Sequence, residues 1–180
     1  MPQLSTIDKV FQRSNVPLTL SDAQDPDRAL LKVNDRFCAM TGYGRDECIG
    51  RNCRFLQGED REQPARFEIQ DALHLQEDTE VVLTNYTRSG VMFDNLLFIH
   101  HIRDIHGEVL YVMGSQFVIE DRADANSLDL HIKALDEGLV TLAESFRYVQ
   151  YTAKRQLSAS VSAMVHSAIL KERLSGRIRR

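Results

Sequence analysis

Three strand-like segments follow one another between residues 80 and 119, and they constrain the fold more than any other feature of the chain. Glu80 to Tyr86, Val91 to Arg103 and Val109 to Ile119 are rich in β-branched and aromatic residues. Such residues suit a pleated, half-buried surface. Arg88-Ser89-Gly90 and Asp104-Ile105-His106-Gly107 separate the segments, and short links of this composition form turns. Consecutive strands joined by tight turns imply an antiparallel meander.

The segments before the meander are shorter. Leu18-Thr19-Leu20-Ser21 reads as a strand, Asp25-Pro26-Asp27 as a turn, and Leu30-Leu31-Lys32-Val33 as a second strand. Asn34 to Met40 reads as helix until Gly42-Tyr43-Gly44 breaks it. Arg45 to Ile49 adds a helical turn that Gly50 stops, and Arg61 to Leu75 carries Phe67, Ile69, Ala72 and Leu73 at helix-like spacing. Residues 18–121 therefore read as one mixed α+β domain, with two short strands and several helical segments ahead of the meander.

Helical segments flank this domain. In residues 1–17, Leu4, Ile7, Val10 and Phe11 mark an amphipathic helix over 3–14, with Ser5 or Thr6 as cap and Pro17 as stop. Residues 122–180 read as all-helical. Leu128, Ile132, Leu135, Leu139, Leu142, Phe146 and Val149 recur with spacing 4-3-4-3-4-3, the seam a helix uses along one partner. Ser158 or Ser160 is the expected interruption, after which Val161, Met164, Val165, Ala168 and Ile169 continue an apolar face. The seam calls for either the sheet's outer face or a second copy of the chain. Its regularity favours a homodimer through the helical extensions.

Charge and cysteine usage exclude several classes. With 180 residues and a formal charge of -4, a general nucleic-acid binder is not expected. No apolar run approaches a membrane span, and Met1-Pro2-Gln3-Leu4 lacks a signal-peptide pattern, so a cytoplasmic protein is expected. Cys38, Cys48 and Cys53 are odd in number and lack metal-type pairing, which argues against disulfides and against a metal site. Free cysteine is most often a small buried apolar residue, and Cys38 and Cys48, among apolar neighbours, fit that. There is no Gly-rich dinucleotide loop and no catalytic spacing of His and carboxylates. His100 and His101 adjoin on a strand and so face opposite ways. His166 lacks the flanking residues of a phosphoacceptor. No enzyme is expected.

Cys53 differs from the other two thiols in its setting. Gly50-Arg51-Asn52-Cys53-Arg54-Phe55-Leu56-Gln57 combines a thiol, cations and amides in eight residues. The run resembles the flavin-binding signature of LOV (light-oxygen-voltage) domains, a branch of the PAS family. Asn34-Asp35-Arg36-Phe37 with Thr41-Gly42-Tyr43, Asn85-Tyr86-Thr87-Arg88-Ser89-Gly90, Phe93-Asp94-Asn95-Leu96-Leu97 and Gly114-Ser115-Gln116 extend the likeness over roughly residues 18–120. The last two elements look most like short proteobacterial LOV photoreceptors, which have helical extensions and no fused enzyme.

The resemblance implies the α+β PAS/LOV fold, a five-stranded antiparallel sheet with connecting helices, and a blue-light photoreceptor. Cys53 would bond reversibly to flavin carbon 4a in light while flavin nitrogen 5 gains a proton. Asn52, Asn85 and Asn95 would hydrogen-bond the cofactor, Gln57 its ribityl chain or ring edge, and Leu56 and Leu97 would pack on the ring. Gln116 would reorient at nitrogen 5 and pass the change to the helical tail. Arg54 would hold the phosphate. Where many relatives carry a second phosphate-binding arginine, this chain has Gln70, with Arg66 one helical turn earlier. Leu97 stands where many have phenylalanine, and Asp94 where tryptophan is common. FMN is the cofactor implied, with riboflavin or FAD behind it. A flavin-based redox sensor and a PAS interaction module without photochemistry are the competing readings. The downstream signalling partner is not encoded in any motif.

Overall fold

The computed structural model describes residues 5–119 and 142–175. Helix α1 (Ser5–Arg13) precedes strands β1 (Leu18–Asp22) and β2 (Leu30–Val33). Helices α2 (Asp35–Thr41) and α3 (Arg45–Cys48), a 3-10 turn (Cys53–Gln57) and helix α4 (Pro64–Leu75) follow. The meander is β3 (Thr79–Tyr86), β4 (Met92–Arg103) and β5 (Val109–Ile119), and the C-terminal helix α5 spans Leu142–Leu174. The sheet order is β2-β1-β5-β4-β3, with antiparallel neighbours throughout.

Strand periodicity sorts the side chains onto two faces. Leu18, Leu20, Ile102 and Met113 share a buried cluster with Ile7 and Phe11 of α1 and Val161, Val165, Ala168 and Ile169 of α5. Leu96 and Phe98 join Tyr151 of α5 on the same face. The opposite face carries Thr19, Leu83, Asn85, Asn95, Leu97, Gly114 and Gln116, and it looks towards the 3-10 turn and α4.

Asn34 fastens the N-terminal part of this arrangement. It is fully buried, and its side-chain oxygen accepts from the Phe37 N–H that opens α2 (3.0 Å) and from Leu18 N–H (2.9 Å). Its amide donates to the carbonyls of Val16 (2.7 Å) and Phe11 (3.2 Å). This corrects the expectation that Pro17 stops α1. The helix ends at Arg13, ahead of the proline, where Asn34 takes one of its terminal carbonyls. The helix expected from Arg61 likewise begins later, at Pro64, the favoured first helical position for proline. Gln63 is held to β3 by two hydrogen bonds with the Thr84 backbone (2.6 and 2.9 Å).

Neither Ser158 nor Ser160 interrupts α5. Serine costs a helix only a few tenths of a kcal/mol, roughly, and tertiary packing overrides that. Ser158 is buried, with its hydroxyl 2.9 Å from His100 Nε2. The seam residues Leu128, Ile132, Leu135 and Leu139 lie outside the described residues. Between Tyr151 and Glu172 the partner of α5 is the sheet and α1 of the same chain. Glu172 is buried and accepts the Ile7 N–H in the first turn of α1 (3.2 Å). Val149, Leu157 and Met164 remain exposed. His166 Nε2 lies 2.7 Å from the Arg103 carbonyl.

His100 also meets Asp78 Oδ2 through Nδ1 (2.8 Å), and Asp78 Oδ1 accepts the His101 N–H (2.8 Å). Burial alone would raise the Asp78 pKa, but these hydrogen bonds outweigh it and hold the carboxyl well below its usual range. A carboxyl depressed in the folded state stabilises fully above its unfolded pKa, about 3.9, and that contribution is lost as pH falls through the folded value. Asp78→Asn is therefore expected to flatten the acid-side fall in melting temperature below about pH 4 and to cost on the order of 1 kcal/mol at neutral pH, since solvent screens a half-exposed group. Thermal melts across pH check this. An unchanged acid slope would remove Asp78 as its source.

Candidate functional site

A cavity of about 390 Å³ lies between the sheet, the 3-10 turn, α4 and the β1–β2 loop, within the usual size of a small-molecule site. Asn52, Cys53, Arg54 and Gln57 reach it from the turn, and Arg66 and Gln70 from α4. Asn85, Asn95, Leu97 and Gln116 reach it from β3, β4 and β5. The fold thus gathers these sequence-designated residues in one place. Leu56 is the exception and corrects the reading. It is buried with Leu30, Val33, Phe37 and Cys48 and does not line the cavity, because the tight turn points it into the helical layer.

The 3-10 turn is built by Asn52. Its side-chain oxygen accepts the Arg54 N–H (2.9 Å), and its amide donates to the Asp27 carbonyl. Cys53 opens the turn under this cap. Burial pushes its thiol up to about 12, with the neighbouring Cys48 adding to the rise, so at neutral pH it is a protonated, poorly nucleophilic thiol. Arg54 Nη1 pairs with Asp27 Oδ1 at 2.6 Å. Arg51, the other cation of the run, stacks on Phe55 at 4.2 Å.

Three amides form the polar end. Asn95 Nδ2 donates to Asn85 Oδ1 (2.9 Å) and to Gln116 Oε1 (3.3 Å). Asn95 Oδ1 and Gln116 Nε2 are buried without a hydrogen-bond partner among the described residues. An unsatisfied buried group costs about 1–3 kcal/mol. A ligand edge offering both a donor and an acceptor, as a flavin's pyrimidine ring does, would answer both atoms. Next to these amides the cavity wall closes in on Gly114. A Cβ at Gly114 would sit 2.6 Å from Thr19 Oγ1 and 3.4 Å from Leu97 Cδ1, so glycine keeps room for a flat ring. The residues fit a flavin on these grounds.

Sequence reading missed several lining residues. Thr19, Ser21, Ile99 and Val112 are found by alternation once one residue of each strand is placed, because every second side chain shares a face. Arg28 also lines the cavity, and a turn residue gives no periodic signal. Among the described residues, no cluster of His, Cys, Asp or Glu could hold a metal, and no helix is long and apolar enough to cross a membrane.

Residues 16–122 match the family model described as "PAS domain". The chain is similar to phototropin-2 of Oryza sativa subsp. japonica, 36% identical over 63% of this chain and 13% of that one. It is similar to the blue-light photoreceptor of Listeria monocytogenes, 36% identical over 64% of this chain and 45% of the relative. It thus spans less than half of either protein. Among solved structures, the Rhodobacter sphaeroides LOV protein is 34% identical, with a TM-score of 0.63 covering 92% of this chain and 95% of that one.

Proposed function

The chain belongs to the LOV domains of the PAS family, and from that premise we propose that it is a blue-light photoreceptor whose bound flavin is FMN. The observation that carries the proposal is the placement of Cys53 in the wall of the same cavity that holds the Asn85, Asn95 and Gln116 amides. When bound, the flavin would supply blue-light absorption, a ring nitrogen to take the Cys53 thiol proton and a ring carbon to take its sulfur. Cys53 stays protonated in the dark, which prevents bond formation without light. Asn85 and Asn95 orient the cofactor through the amide chain. Gln116 can exchange its donor for its acceptor by rotating its amide, and each choice changes what Asn95 must offer.

The output runs through the sheet. Phe117, next to Gln116, meets Phe98 edge-on at 5.8 Å, and both pack in the cluster that holds Tyr151 of α5. A hydrogen-bond exchange worth on the order of 1 kcal/mol can bias an element balanced within a few kcal/mol. We take that element to be the helical extensions, and the assembly to be a homodimer. Val149, Leu157 and Met164, spaced by eight and seven residues on the outward side of α5, support helix pairing. In this reading the chain is a sensor and not a catalyst, and its charge favours a protein as the downstream partner.

The test is an absorption spectrum of the purified protein before and after a blue flash, followed in darkness. Loss of the blue flavin band with dark recovery is expected. A bound flavin that never bleaches would replace the photoreceptor by a redox sensor. Gln116→Leu is expected to keep the bleaching but shrink the light–dark difference in size-exclusion elution at least about twofold, since one exchanged hydrogen bond carries the bias. An unaltered difference would take Gln116 off the path.

A further inference from the structure

We propose that Arg28, in the β1–β2 loop, is the second phosphate cation of the cavity and makes it select FMN over riboflavin. The inference rests on the flavin reading above and places in this loop a charge that α4 does not supply at position 70. At the α4 position in question the chain carries Gln70, an amide without charge.

Four observations converge on Arg28. It lines the same cavity as Arg54, Arg66 and Gln70. Its Nε is buried and has no hydrogen-bond partner among the described residues, although a guanidinium N–H can only donate and is costly to strand. Its charge is also uncommitted. Arg54 is paired with Asp27 at 2.6 Å and Arg66 with Glu62 at 3.7 Å, whereas Arg28 has no carboxylate within bridging distance among the described residues. Finally, its backbone is left-handed, with φ 49°, a region that disfavours any side chain with a Cβ. Such an outlier points from observed strain to a task for the residue.

The loop is built to hold this conformation. Arg28 N–H donates to the Asp25 carbonyl (2.9 Å), and the Asp25 carboxylate accepts from the N–H groups of Asp27 (3.0 Å) and Ala29 (3.1 Å). Arg28 Nη2 donates to the Leu73 carbonyl in the last turn of α4 (3.3 Å). Nη2 is thereby fixed to the helix, while Nε is buried without a partner among the described residues. A planar fork held in this way suits phosphate oxygens.

A purely structural staple between loop and helix would weaken both flavins alike. A phosphate cation discriminates between them. The experiment titrates the flavin-stripped full chain with FMN and with riboflavin, following flavin fluorescence, for the parent, Arg28→Gln, Arg28→Lys and Arg66→Gln. The flavins released from each protein as purified are also identified by chromatography. Arg28→Gln is expected to lower the preference for FMN about tenfold, the scale of one charge-assisted hydrogen bond, with riboflavin affinity little changed. Arg28→Lys is expected to keep part of the preference, and Arg66→Gln most of it. Arg28→Gly accepts the left-handed backbone and keeps the measurement available if Arg28→Gln does not fold. An unchanged preference in both Arg28→Gln and Arg28→Gly, or a collapse only in Arg66→Gln, would overturn the assignment. A parent chain that binds neither flavin would overturn it together with the photoreceptor reading, a result distinct from flavin binding without discrimination.

Discussion

Cys53→Ala is expected to bind flavin as the parent does and to lose the light-induced bleaching completely. The thiol takes no part in the amide chain of Asn85, Asn95 and Gln116, nor in the cap by which Asn52 holds the 3-10 turn. Removing one sulfur therefore leaves the polar contacts of the cavity intact. Alanine has higher helical propensity than cysteine, so the turn should not suffer. Photochemistry is another matter. Cys38 and Cys48 pack in the helical cluster and neither lines the cavity, so no second thiol stands in. Absorption at the blue flavin band, before and after a saturating flash, reads the result. Residual reversible bleaching would show that Cys53 is not the reacting group. Loss of flavin from the purified variant would make the cysteine structural.

Asn34→Ala is expected to carry the largest cost in stability, about 3 kcal/mol or more, because several buried groups lose their partner together. The Phe37 N–H loses its cap, the Leu18 N–H and the Phe11 carbonyl lose their side-chain partner, and the Val16 carbonyl is left with the longer bond from the Ser14 hydroxyl (3.4 Å). A helix cap alone is worth about 1 kcal/mol. The others lie in a region with no room for solvent, as the complete burial of Asn34 shows. Denaturant unfolding of the full chain measures the loss. A cost below about 1 kcal/mol would mean that the segment relaxes and finds water.

The meander was legible because it is local. Turn residues and β-branched runs place β3, β4 and β5 within a residue or two of their observed ends. Asn34 was legible as a helix start but not as the clasp of α1, because its partners Phe11 and Val16 are remote in sequence and contribute only backbone atoms. The C-terminal helix misled for a similar reason. Ser158 looks like a breaker in one dimension, yet His100, a strand residue 58 positions away, gives its hydroxyl a partner. The cavity residues were legible where a motif carries them, as with Cys53, Asn85, Asn95 and Gln116. Leu56 was misassigned because one residue in a 3-10 turn changes which layer a side chain enters. Arg28 was missed because no periodicity marks a left-handed turn residue.

The bond from the Ile7 N–H to Glu172 ties α1 to α5, which also share the apolar cluster of Ile7, Phe11, Val165 and Ile169. This bond spans 165 positions of sequence, and helix dipole and carboxylate reinforce each other there. A displacement of either helix would consequently load the other. They behave as one clasp, and a domain grafted to either terminus would feel the same mechanical event. Choosing an end for such a graft is thus a choice of geometry, not of signal.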